Sequence, residues 1–82
     1  MPAKPSWAPF EVDARGLNCP LPVLRARRAA KTLAEGTEML ILCTDPLAKI
    51  DIPHFAKTDR HDLVSSGERD GELWFNIRIS GR

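Results

Sequence analysis

The run Met39-Leu40-Ile41-Leu42-Cys43 is unbroken by any polar residue, and no other stretch limits the fold as much. A strand with one wet face alternates apolar and polar residues. A short continuous apolar run, closed here by Thr44-Asp45-Pro46, predicts a strand covered on both faces. Such a strand needs neighbours on either side and a packed layer above. The chain has 82 residues, of which 43% are apolar, enough for one domain with one core. The run is therefore expected at the centre of a single small sheet.

The remaining elements read outward from that strand. Phe10-Glu11-Val12-Asp13-Ala14 alternates and predicts a half-buried strand. Arg15-Gly16-Leu17-Asn18 forms a turn, and Cys19-Pro20-Leu21-Pro22 opens a helix that runs to about Leu33. Gly36 is expected as its left-handed cap. On this helix Val23, Ala26, Ala30, Leu33 and Ala34 share the core stripe, while Arg25, Arg28, Lys31 and Thr32 lie opposite. Leu21 and Leu24 fall with the arginines rather than with the stripe.

A second helix is expected from Leu47 to about Asp59, with Ile52, Phe55 and Ala56 facing the core. Pro53 either starts its regular part or kinks it. Leu63-Val64-Ser65 begins a third strand, and Asp70-Gly71 favours a tight hairpin. Leu73, Phe75, Ile77 and Ile79 alternate with Trp74, Asn76 and Arg78 to give the fourth strand. Trp74 reads as partial cover for the sheet. The fold class expected is α+β: a two-layer sandwich of order βαβαββ, with a mixed four-stranded sheet and two helices on one face.

Composition narrows the function classes. No stretch approaches the roughly 20 apolar residues of a membrane-spanning helix. The opening MPAKPSWAPF has three prolines and no apolar run, unlike a secretion signal. Residues 1–9 read as a flexible tail ahead of a single domain spanning 10–82. The two cysteines are then expected as free thiols in a reducing cytoplasm. A net charge of +1 gives no global field for nucleic acid or an anionic membrane.

Cys19 is the chemically loaded position. At a helix start, the dipole and unpaired N–H groups favour an anion, so the thiol is expected to ionise easily and to act as a nucleophile. The same donors would favour a persulfide anion. Pro20 and Pro22 have no N–H to give and supply rigidity instead. The alternative is a small hydrophobe beneath a helix end, since free cysteine is often buried. The prolines and the exposed Leu21 and Leu24 favour function.

The stretch Val12-Asp13-Ala14-Arg15-Gly16-Leu17-Asn18-Cys19-Pro20-Leu21-Pro22 resembles the TusA/SirA-like sulfur-carrier family, whose hallmark is G-x-x-C-P-x-P opening a helix. The likeness continues through Thr44-Asp45-Pro46 and Asp51-Ile52-Pro53-His54-Phe55 and spans roughly residues 10–80. It implies a sheet with two helices and a persulfide carried on Cys19, with Gly16, Pro20 and Pro22 supporting the motif. It implies a sulfur donor of the cysteine desulfurase or rhodanese-like kind, an acceptor protein, and no metal or organic cofactor. Known uses of such carriers are tRNA thiolation, molybdenum-cofactor assembly and sulfur oxidation. Relatives in tRNA thiolation often carry an acid between the two prolines, where this chain has Leu21.

The basic face of the first helix has two active readings, nucleic acid or an acidic protein partner. Apolar Leu21 and Leu24 within the charged rim favour a transient protein interface. Arg28, Arg27 and Asp45 are expected to join them in docking. No direct nucleic-acid contact and no membrane contact are expected, and the chain is expected to be a monomer. Cys43 reads as a buried strand cysteine rather than a second sulfur site. His54 and His61 lack ligand spacing, so no metal site is expected. The competing functions are an RNA- or protein-binding module without chemistry, and a redox-sensing thiol.

Overall fold

In the computed structural model, residues 10–80 are described; the expected tail at 1–9 lies outside them. The elements follow the expected order: β1 (Phe10–Ala14), α1 (Leu21–Ala30), β2 (Glu38–Cys43), α2 (Ala48–Thr58), β3 (Asp62–Arg69) and β4 (Glu72–Arg78). The sheet order is β1-β2-β4-β3. β2 pairs parallel with β1, Val12 opposite Ile41, and antiparallel with β4, Ile41 opposite Phe75. This double pairing is what the apolar run demands. Met39, Ile41 and Cys43 join the core under the helices, and Leu40 and Leu42 are buried on the other face.

One core cluster unites Val12 and Ala14 of β1 and Leu73, Phe75 and Ile77 of β4 with Ala26 and Ala30 of α1 and Ile52, Phe55 and Ala56 of α2. Both helices therefore cover one face of the mixed sheet. The β3–β4 turn places Asp70 at φ 53 and Gly71 at φ 80, the paired left-handed conformation that Asp-Gly hairpins favour. Pro53 sits inside a continuous α2, so it neither starts nor ends the helix.

Two expectations need correction. α1 stops at Ala30 rather than near Leu33. Beyond it the chain tightens: the amides of Thr32 and Leu33 donate to the carbonyls of Ala29 and Ala30, three residues back. Ala34 therefore leaves the core stripe and is exposed. Gly36 does adopt a left-handed φ of 90, but the α1 cap is Lys31. The Gly36 amide instead donates to Ile79 O at 2.8 Å, joining the loop to the end of β4.

An ion pair fixes one helix to the other. Arg27 donates through Nε and a terminal nitrogen to both carboxylate oxygens of Asp59, at 2.8 and 3.2 Å. Its guanidinium also lies 5.4 Å from the Phe55 ring centre. Past Asp59, Arg60 adopts φ 62 and the His61 amide reaches back to Ala56 O at 2.7 Å. This is a left-handed helix ending usually made by glycine.

Candidate functional site

The C-terminal ends of β1 and β2 lie together because the strands are parallel with Ala14 opposite Cys43. The loops leaving them, 15–20 and 44–47, meet at that edge of the sheet, and each leads into a helix. Gly16, at φ 80, turns the first loop in a conformation that L side chains resist. Its amide donates to Thr44 Oγ1 at 2.9 Å. Three residues on, the Cys19 amide donates to Asp45 Oδ2 at 2.7 Å. Asp45 Oδ1 accepts the Leu47 amide at 3.0 Å, a local turn that leads into α2. One carboxylate thus fixes both the cysteine loop and the approach to the second helix.

Cys19 is exposed. It stands one residue before Pro20, the α1 cap, and the Cys19–Pro20 peptide is cis. Pro22 is buried with Ala26 and Ala30 and anchors the first turn in the core, while Pro20 stays at the surface.

The position of Cys19 agrees with the sequence reading, but its charge environment does not. The Leu21 amide, the first donor expected to serve an anion, is spent on Asn18 O at 2.8 Å. The Asp51 carboxylate, from the first turns of α2, faces the thiol and hydrogen-bonds to its protonated form; Asp51 and Asp45 together push the thiol pKa up from its ordinary value. The cationic groups that might have opposed this are engaged elsewhere. Arg15 is bound to Asp13 and Glu72, and Arg25 donates to Asp13 O. The resting group is therefore a thiol, not the easily formed thiolate expected of a helix start.

The docking residues separate into two groups. Leu21 and Leu24 are 48% and 51% exposed and, with Phe10, Leu17 and Ala29, floor a groove of about 630 Å³. Arg25 and Arg28 line it as well. Arg27 and Asp45 do not belong to that surface. Arg27 is turned onto α2 by Asp59, and both Asp45 oxygens are used within the fold. α2 adds exposed apolar side chains that sequence reading missed, Leu47 at 51% and Ile50 at 70%.

Thr44 and Asp51 were also missed as parts of the site. Their only signal was membership in the two downstream stretches that resemble the family, and an acid in a first helical turn has an ordinary dipole explanation.

Cys43 is fully buried, and desolvation pushes its thiol up to about 11. His61 Nδ1 accepts the Ser80 amide at 3.1 Å, and exposed His54 meets Thr58. Among the described residues no three potential metal-ligating side chains gather, and no helix is long and apolar enough to cross a membrane.

Comparison with known proteins settles the family. Residues 10–80 match the profile of the family described as Sulfurtransferase TusA. The chain belongs to the TusA family. Its similarity to the sulfur carrier protein TusA of Allochromatium vinosum reaches 40% identity over 70 residues, covering 85% of this chain and 92% of that one. The crystal structure of a SirA-like protein from Desulfitobacterium hafniense superposes with a TM-score of 0.77 over 88% of this chain and 99% of that one. At 24% identity this second likeness speaks to the TusA-type fold alone. Within that fold, the pinned loop gives the motif a physical meaning: Gly16 and Cys19 are the residues whose amides are held by Thr44 and Asp45.

Proposed function

We propose that this protein is a sulfur carrier that accepts a persulfide sulfur on Cys19 and relays it to an acceptor protein. The observation that carries this reading is an exposed thiol, on a loop fixed at two amides, in a chain of the TusA family. A relay between two macromolecules needs an accessible sulfur with a defined direction of approach, and the pinned loop supplies both. The raised thiol pKa suits a resting carrier, because a protonated thiol resists adventitious oxidation.

The partners are a cysteine desulfurase or rhodanese-like donor and an acceptor presenting its own thiol. They dock over Leu21, Leu24 and Arg28, where apolar side chains sit within a cationic rim. Cys43 takes no part, since its sulfur is sealed in the core. The compartment is the reducing cytoplasm, where both thiols stay free.

Incubation with a cysteine desulfurase and cysteine, or with a rhodanese and thiosulfate, followed by intact-mass measurement tests the reading. The wild-type chain gains sulfur that a reductant removes, and Cys19→Ser gains none while keeping its circular dichroism. Sulfur uptake by Cys19→Ser equal to wild type would sink the proposal. Leu24→Asp slows loading from the protein donor and leaves loading from a small persulfide unchanged.

A further inference from the structure

The sulfur-carrier reading, on which the following rests, leaves a proton to be accounted for. The attacking species is a thiolate, yet the groups facing Cys19 hold it as a thiol. Its proton has to leave as the new sulfur–sulfur bond forms. The departing donor sulfur needs a proton at the same moment.

Three hydrogen bonds set the position of Asp51 relative to Cys19. The Cys19 amide is held by Asp45 Oδ2 at 2.7 Å, the Leu47 amide by Asp45 Oδ1 at 3.0 Å, and the Asp51 amide by Leu47 O at 2.9 Å. The cysteine loop and the first turns of α2 are thereby one unit, and they bring the half-buried Asp51 against the thiol. The charged groups facing this sulfur are Asp51 from α2 and Asp45 from the preceding loop. Asp45 has committed each oxygen to a backbone amide, so Asp51 is the carboxylate placed to handle the proton.

We propose that the Asp51 carboxylate takes the Cys19 proton during attack and hands it to the departing donor sulfur. With a donor persulfide R–S–SH, Cys19 Sγ bonds to the outer sulfur and the bond between the two donor sulfurs breaks. The electron pair of that bond stays on the inner sulfur, which receives the proton from Asp51. The products are Cys19–S–SH and R–SH, and no outside oxidant or reductant enters. The carboxylate need only shuttle the proton between two sulfurs as charge develops, the usual work of a general base that becomes a general acid. Asp51 is thus a catalytic residue of the transfer, touching the reacting thiol itself.

The test compares wild type, Asp51→Asn and Asp51→Glu in two reactions across pH 6 to 9. One is alkylation of Cys19 by iodoacetamide, and the other is single-turnover sulfur uptake from glutathione persulfide, read by intact mass. Removing the carboxylate's charge eases thiol ionisation, so Asp51→Asn alkylates faster than wild type at neutral pH. Its sulfur uptake nevertheless falls about tenfold or more and climbs more steeply with pH, while Asp51→Glu recovers part of the rate. Uptake that rises in step with alkylation overturns the proposal, leaving Asp51 only a repelling charge. Uptake equal to wild type overturns it as well. A wild-type chain that takes no sulfur sinks the carrier reading itself, and the relay falls with it.

Discussion

Cys19 and Cys43 show how burial separates two identical side chains. Both sit near the same sheet edge, at the end of β2 and just past the end of β1. One is exposed and the other has no accessible surface. Alkylation of the folded chain at neutral pH is therefore expected to mark Cys19 alone, with Cys43 reacting only in denaturant; mass mapping of the modified peptides checks this. Asp45 carries a second residue-level expectation. Its carboxylate accepts two amides from different segments, and these keep its pKa below the ordinary carboxylate value, Cys19 contributing more than Leu47. Asp45→Ala is expected to cost about 1 kcal/mol, the usual scale for a lost capping acceptor. A urea titration measures that loss. Sulfur loading is expected to fall further than stability does, because the cysteine loop loses its anchor while the core stays packed.

At the scale of elements, α1 and α2 are held side by side by Arg27, which pairs with Asp59 and lies over Phe55. The two ionic side chains are 37% and 26% exposed, so water screens much of their attraction. Arg27→Ala is expected to lower stability by about 1 kcal/mol. Arg27→Lys recovers only part, since an ammonium lacks the two-pronged geometry. Donor docking is expected to survive both changes when measured below the unfolding transition. Arg27 reads as a docking residue from its place in a basic run, because its partner Asp59 is 32 residues away and no local pattern announces it. The same distance effect divides the rest of the chain. β2 and the Asp70-Gly71 hairpin are legible because burial and turn chemistry are written in adjacent residues. The end of α1 is not, since the sequence stripe continues through Leu33 and Ala34 while the backbone tightens after Ala30. The cysteine at the helix start is legible too. The carboxylates that reverse its expected charge are not, because the parallel strands bring them in from a loop 26 residues downstream.

For the whole molecule, the ionisable groups tied into the fold define a pH range. Asp13 is lowered from its ordinary 3.8 to about 2, mainly by the Arg15 side chain. Glu38, held first by Asn76 and then by Arg78, and Asp45 are also lowered. For each, the unfolded chain binds a proton more readily than the folded one. Their stabilisation is complete above the unfolded pKa and disappears as pH falls through the folded value, for Asp13 between about 4 and about 2. Cys43 has the opposite sign. Its pKa rises from 9.0 to about 11, so its contribution is full below 9.0 and is lost as pH climbs toward 11. Urea midpoints are therefore expected to be level from about pH 5 to 8 and to fall on both sides. Asp13→Asn should be less stable at neutral pH yet show a shallower acid limb. The side chains of Asp13 and Arg15 are 54% and 42% exposed, so this change is small and weakens with added salt. Cys43→Ala leaves the acid limb alone and flattens the alkaline one, because the group replaced is the buried thiol. An acid limb unchanged in Asp13→Asn would show that the Arg15 pairing does not reach the folding equilibrium, and that the sheet edge bearing Cys19 is held by its amide bonds to Thr44 and Asp45 alone.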